Sequence, residues 1–352
     1  MEATHVLVPF DGLRYGQFSL GPSREYVPSW TGEDAFRELY QNWRDGIFAS
    51  FKLNPLTFLP QIRNTEDGIR ITVYQMAPTY HLIAYIYYQK KTGRLIISNY
   101  SASLSMEDSV LGGTTMRECD KLLGLLGTHG KGFELATLVL VRLGYSVNIL
   151  SGSFDWTFEV RNNILYRYSK ALCRKNSVHF ILEKIPEEVL RSWIKVAIDL
   201  DPPVPGTSIR SKLGDLILDN RLSGRIYHQG LLVRKGSSSS DRQYQYGYNF
   251  FGGPVNRDRE RLSTPLEDAR VIAAIWEDAM VAGHDVCIQK YLDLFYKDQV
   301  PDLALATQVI SRTAAEILWT RLKLNSPGSF FYSDSGADNS AGPSDGDDHV
   351  SE

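Results

Sequence analysis

Between Glu33 and Phe51 apolar residues return every three or four positions, and Phe36, Leu39, Tyr40, Trp43 and Ile47 fall within about 100° of one another on a helical wheel. This stretch predicts a helix with one face in a core. The period then drops to two. IRITVYQ, HLIAYIYYQ and RLIISN, separated by a proline turn and by KKTG, predict strands. A second helix is expected from about Gly130 to Leu143. Four strand-like runs follow (SVNILS, FDWTFEV, NILYRYS and SVHFILEK), then the helix PEEVLRSWIKVAI, with Pro186 suited to its start. Helices and antiparallel strands in segregated runs imply an α+β layer sandwich, not a doubly wound parallel sheet.

The pattern breaks at DLDPPVPGTS, Asp199 to Ser208, which predicts a boundary between a first domain over 1–200 and a smaller α+β domain over 201–325. In the second region GRIYHQGLLVRK and RQYQYGYNF predict a hairpin across the loop GSSSSD. PLEDARVIAAIWEDAMVAG, VCIQKYLDLFYKD and LALATQVISRTAAEILWTRL predict three helices whose apolar stripes face a core. Trp156, Tyr244, Tyr246 and Tyr248 could stack on bases, but at strand spacing without alternating basic residues they read as a sheet face.

Composition agrees with a folded protein: 352 residues, 43% hydrophobic, 22% charged and 11% aromatic. Cys119, Cys173 and Cys287 are odd in number and lack metal-ligand spacing, so neither a disulfide framework nor a zinc site is indicated. The net charge of −3 is uneven. Asp334, Asp338, Asp345, Asp347, Asp348 and Glu352 stand in a stretch without Lys or Arg, so the rest of the chain carries +3. That stretch, 326–352, is expected to be a disordered acidic tail. The balance gives no basic field to support nucleic-acid binding. With no basic leader at the start and no apolar run of about 18 residues, a cytoplasmic or nuclear protein without a membrane span is expected.

Two places carry candidate chemistry. On the first helix Glu38, Asn42 and Asp45 fall within about 60° of one another, opposite the apolar face. That side is either a solvated polar face or one turned to a ligand, the amide suiting a hard cation such as Mg²⁺ and a carboxylate suiting a general base. The second place is GLLGTHGKGFELATLVL, where Gly127, Gly130 and Gly132 precede an apolar helix. It is either a tight connection or an anion site of exposed backbone N–H groups. It is not a P-loop, and no strand directly precedes it as a dinucleotide fingerprint requires. His129 is expected to be structural, and His228 and His284 to be surface or satisfied core residues.

Taken in order, ELYQNWRDG, LIISNYSASL and LGGTTMRECDKLLGLLGTHGKGFELA resemble the three motifs of the GHKL ATPase family, over about residues 30 to 185. The family includes gyrase B, the ninety-kilodalton heat-shock chaperones, histidine kinases, MutL and MORC proteins, the chaperone and MORC-like branches being closest. The resemblance implies a Bergerat α/β sandwich with a mixed, largely antiparallel sheet, followed by a transducer-like domain. It implies ATP and Mg²⁺ as ligands, a slow ATPase cycle that moves a lid, a homodimer, and a protein partner or client. By position it makes Glu38 the residue that polarises the attacking water and Asn42 the Mg²⁺ ligand. Asp45, Asn99 and Ser101 match nucleotide-binding positions, as do Gly127, Gly130, Lys131, Gly132 and Phe133 at the glycine loop. Thr114, within the lid segment Gly112 to Thr115, and Ser177, at the late Gly-Thr position, complete the set. Arg257, Arg259 or Arg261 would reach the terminal phosphate, or else pair with Asp258 and Glu260.

The departures are equally specific. Asn99 stands where the family has aspartate, and Ser101 and Ser103 stand where it has glycine. Lys131 and Glu134 occupy exchanged positions of a family ion pair, or are solvated surface charges. These departures motivate an alternative, a degenerate GHKL-fold scaffold that does not hydrolyse ATP and acts through protein–protein interaction. A histidine kinase is not expected, because no phosphoacceptor helix pair precedes the motifs.

Overall fold

The computed structural model describes residues 6–10, 13–53, 58–75, 80–101, 132–152, 154–171, 176–233, 244–253, 264–297, 300–304 and 309–328. The fold is α+β, built on two sheets.

The larger sheet has ten strands: β1 (Val6–Phe10), β2 (Leu13–Ser23), β3 (Gln61–Asn64), β4 (Gly68–Gln75), β5 (His81–Gln89), β6 (Arg94–Tyr100), β7 (Ser146–Ser151), β8 (Phe154–Arg161), β9 (Ile164–Ala171) and β10 (Ser177–Glu183). Their order is β1-β2-β9-β8-β7-β10-β6-β5-β4-β3. Among the described residues every pairing in it is antiparallel, where a mixed sheet was expected. Alternation decides the faces. Ile69, Ile71, Ile86, Tyr88, Leu95, Ile97, Val147, Ile149 and Leu165 all bury on one side, under α1 (Gly32–Phe51), α2 (Gly132–Arg142) and α3 (Glu187–Trp193). The sequence pattern did not predict β1, β2 or β3.

The smaller sheet, ordered β11-β12-β15-β13-β14, comprises β11 (Ser208–Arg210), β12 (Gly214–Ile217), β13 (Ile226–His228), β14 (Leu231–Leu232) and β15 (Gly247–Phe250). It packs a second core with α4 (Pro265–Val281), α5 (Asp285–Phe295) and α6 (Arg312–Asn325). The expected hairpin forms differently. β13 turns back on itself at Gln229–Gly230 to pair with β14, while β15 runs parallel to β13 and antiparallel to β12. Both turn residues have left-handed φ, 50° and 83°, so the fold-back needs no longer loop. The last helix is also shorter than predicted. Ser311 caps it by accepting from Ala314 N, so α6 starts there rather than near Leu303.

Tyr246 and Tyr248 lie in the second core, with Tyr248 stacked on Phe250, and Trp156 is fully buried in the first, in keeping with a sheet-face reading. His228 is buried on β13, and His284 precedes α5. Among the described residues no helix is long and apolar enough to cross a membrane.

Candidate functional site at helix α1

Helix α1 is set in place by local chemistry at its start. Thr31 and Asp34 form a capping box, Asp34 Oδ2 accepting from Thr31 N at 2.7 Å and Thr31 Oγ1 accepting from Asp34 N at 3.4 Å. The approach to the helix is clamped from α2. The Arg142 guanidinium donates to four carbonyls, Arg24 and Tyr26 at 3.2 Å, Val27 at 3.3 Å and Trp30 at 3.0 Å. Gly32 allows α1 to lie against the Trp193 indole, since a Cβ there would stand 2.7 Å from the ring. Phe36 stacks on the same indole.

Two reciprocal bonds then lock α1 to β6. Trp43 Nε1 donates to the Ser98 carbonyl at 2.9 Å, and Asn99 Nδ2 donates to the Trp43 carbonyl at 2.8 Å. The second bond orients the Asn99 amide. Among the described residues its Oδ1 is a buried acceptor with no hydrogen-bond partner, on a residue 6% exposed. Gly46 makes this approach feasible: a Cβ there would lie 2.7 Å from Asn99 Nδ2. Gly46 was missed in the sequence, although a glycine inside a helix costs about 1 kcal/mol relative to alanine and so signals a close contact.

The polar side of α1 is not solvated. Glu38 and Asp45 are 6% and 4% exposed, and Asn42 is half-buried. Gln41 Nε2 donates to Asp45 Oδ2 at 3.4 Å. The Glu38 carboxylate reaches the first residue of α2, where its Oε2 occupies the space a Cβ on Gly132 would need. Arg37 Nε lies 3.8 Å from Glu38 Oε1, and Arg37 Nη1 is 3.3 Å from Asp34. The structure thus sets Glu38 against Gly132 and Asn99 against Trp43 and Gly46, with Asn42 and Asp45 on the Glu38 side of α1 and Phe133 beginning the α2 core, edge-on to Phe180.

Other expected residues are placed differently. Ser177 pairs with Tyr100 across β10 and β6, but its hydroxyl meets His179 Nε2 at 2.9 Å, and residues two apart share a face that Val178 and Asn99 do not. The hydroxyl of Ser177 is therefore directed away from the Asn99 side. Ser101 follows β6 with φ 53° and an exposed side chain, its N–H donating to Asn176 O at 2.9 Å. The backbone there has the conformation that glycine favours. Glu134 is not a solvated surface charge. It is 1% exposed, and its charge acts on Arg167 of β9, which stacks over Trp156 with 4.8 Å to the ring centroid. Burial lowers the Arg167 pKa to about 10, with Glu134 opposing the shift. Arg167 gave a usable signal, a cation among the inward positions Leu165 and Ser169.

Ser103, Thr114, the lid segment 112–115, Gly127, His129, Gly130, Lys131, Arg257, Arg259, Arg261 and the tail 329–352 lie outside the described residues. Among the described residues no group of three or more His, Cys, Asp or Glu is arranged to hold a metal ion. Asn42 remains the side chain suited to a cation that is otherwise ligated by phosphates and water, the usual manner for Mg²⁺. A scan against protein-family models and a search of curated proteins both return no match.

Proposed function

We propose that this chain binds ATP with Mg²⁺ on the polar side of α1 and hydrolyses it slowly, in the manner of GHKL ATPases, with a lid and dimerisation cycle as its output. The observation that carries the reading is Asn99. Its donor is committed to the Trp43 carbonyl, which leaves a buried acceptor beside α1 that has no partner among the described residues. An orphaned buried acceptor costs about 1–3 kcal/mol, and the exocyclic amino group of adenine is a donor that would remove the cost.

The remaining groups suit the same ligand. The first turn of α2 offers N–H donors and the positive end of its dipole to phosphate oxygens, and Gly132 leaves room there for the Glu38 carboxylate. Asn42 offers an amide oxygen to the cation. Mg²⁺, when bound, supplies charge neutralisation across the phosphates. Glu38, held against α2, would orient a water and take its proton. Asp45, steadied by Gln41, would add a further acceptor on that side of α1.

Steady-state Mg²⁺-ATP hydrolysis and ATP-dependent melting of wild type beside Glu38→Ala test the reading. Hydrolysis lost in the variant with the thermal shift retained is the expected result, since a ligand stabilises only by binding the folded state. No hydrolysis and no shift in either protein would refute it and leave the scaffold, with a protein partner, as the function.

A further inference from the structure

Arg44 is a buried charge on α1 that the proposed chemistry does not use. It is 6% exposed, and its terminal nitrogens are divided between two parts of the chain. Nη1 lies 3.2 Å from Asp199 Oδ2, in the segment leaving the first core, and Nη2 donates to the Gln229 carbonyl at 3.1 Å, in the β13–β14 turn. Tyr40, one turn earlier, donates to the same Asp199 oxygen at 3.2 Å, and its ring centroid is 5.9 Å from the guanidinium.

The turn that Arg44 holds is itself fixed to the second sheet. Gln229 N donates to Phe250 O, and Gly230 N to Asn249 Oδ1, each at 2.8 Å. Asn249 Nδ2 in turn donates to Asp215 Oδ2 at 2.8 Å. Gly230 has φ 83°, and a Cβ there would meet Arg44 Nη1 at 3.2 Å. The chain of bonds therefore runs from β12 and β15 through the turn into α1. On α1 the next residue is Asp45, whose charge also acts on Arg44. A close-packed helix moves as a unit, so a displacement of the turn reaches Glu38, Asn42 and Asp45 through this guanidinium, the side-chain link that runs beside the Ile198 N–Gly230 O bond and the burial of Leu231 in the first core.

We propose that Arg44 is a positioning residue that couples the Gln229–Gly230 turn of the second sheet to the candidate site on α1. The regulatory meaning rests on the nucleotide reading; the coupling itself is a property of the unliganded chain.

Hydrogen exchange on the full chain tests both. Without nucleotide, Gly230→Ala should speed exchange of the Glu38–Gly46 amides about tenfold, and should add much less when Arg44→Met is already present. Asp199→Asn, which keeps the shape of the side chain, takes its place if Gly230→Ala fails to fold. An equal effect in both backgrounds, or none on α1, overturns the proposal. With Mg²⁺-ATP, wild type and Arg44→Met should show the same thermal shift, while protection of residues 229–231 appears only in wild type. Equal protection in both also overturns it. Absence of any thermal shift in wild type defeats the nucleotide reading alone, and the nucleotide-free comparison still decides Arg44.

Discussion

Replacing Asn99 by aspartate converts the donor facing the Trp43 carbonyl into an acceptor. The native bond is 2.8 Å long on a residue 6% exposed, so an ionised carboxylate would face a carbonyl oxygen with little water to screen it. The lost bond and the unsatisfied groups cost about 1–3 kcal/mol. A protonated carboxyl can still donate to Trp43, so folding raises the pKa of residue 99 above about 3.9. The sign follows. A raised folded pKa gives stability that is complete below the unfolded value and lost as pH rises through the folded one. Asn99→Asp should therefore stand close to wild type near pH 4 and fall behind it by pH 8. For a unit of about 150–250 residues the deficit is roughly 2–12 °C in Tm. Urea denaturation of both proteins at the two pH values, with Asn99→Ala as a pH-independent control, measures it. Equal differences at both pH values, or none at pH 8, would show that the bond does not hold α1 to β6. Under the nucleotide reading, the same variant should bind ATP about fivefold more tightly, because a charged acceptor strengthens the bond to an amino group by about 1 kcal/mol.

Gly46→Ala should destabilise by about 1 kcal/mol although the same change on an open helix surface stabilises by about that amount, and the loss should vanish in the Asn99→Ala background, as a double-mutant cycle of melts would record. Arg142→Lys should lose about 2 kcal/mol in urea denaturation and expose the Arg24–Trp30 segment to protease, because a lysine cannot reproduce a fork that reaches four carbonyls. Ser101→Gly should stabilise by about 0.5–1 kcal/mol by relieving a left-handed backbone, read as a rise in Tm. Burial pushes Tyr246 and Cys287 each up to about 12, so each keeps its proton in the fold when the unfolded chain has lost it. Stability should then fall by roughly 1.4 kcal/mol per pH unit per group, from about pH 9 for Cys287 and about pH 10 for Tyr246, and Tyr246→Phe should reduce that slope in urea melts from about pH 10 to 12.

The helices and strands of the first layer were legible because each has a core on one side and obeys one period. The strands that were missed lack that signal. LRYGQFSLGPS carries glycines and a proline that interrupt its alternation, and the strands of the second sheet are as short as Leu231–Leu232, too short for any period to register. The hairpin error has a different cause. Alternation assigns a residue to a face, but it does not name the neighbour, and Gln229–Gly230 supplies a turn inside what reads as one strand.

The spacing of Glu38, Asn42 and Asp45 was equally legible, but it could not say whether that side of α1 meets water. An amphipathic helix normally leaves its polar side wet. Here the residues opposite the core are covered too, and Arg37, Arg44, Glu134 and Arg167 are buried with them, a group of charges that no periodicity reveals because it is assembled from α1, α2 and β9. Desolvating each ion costs several kcal/mol, and well-packed apolar residues in place of buried ion pairs are often neutral or stabilising. Stability alone therefore gives a weak reason for acids at 38 and 45. A cation meeting those acids in a dry site would give a stronger one, because the attraction between opposite charges gains strength as water is excluded. On that argument the proposed nucleotide site accounts for the cost of the acids on α1 better than the alternative scaffold reading does.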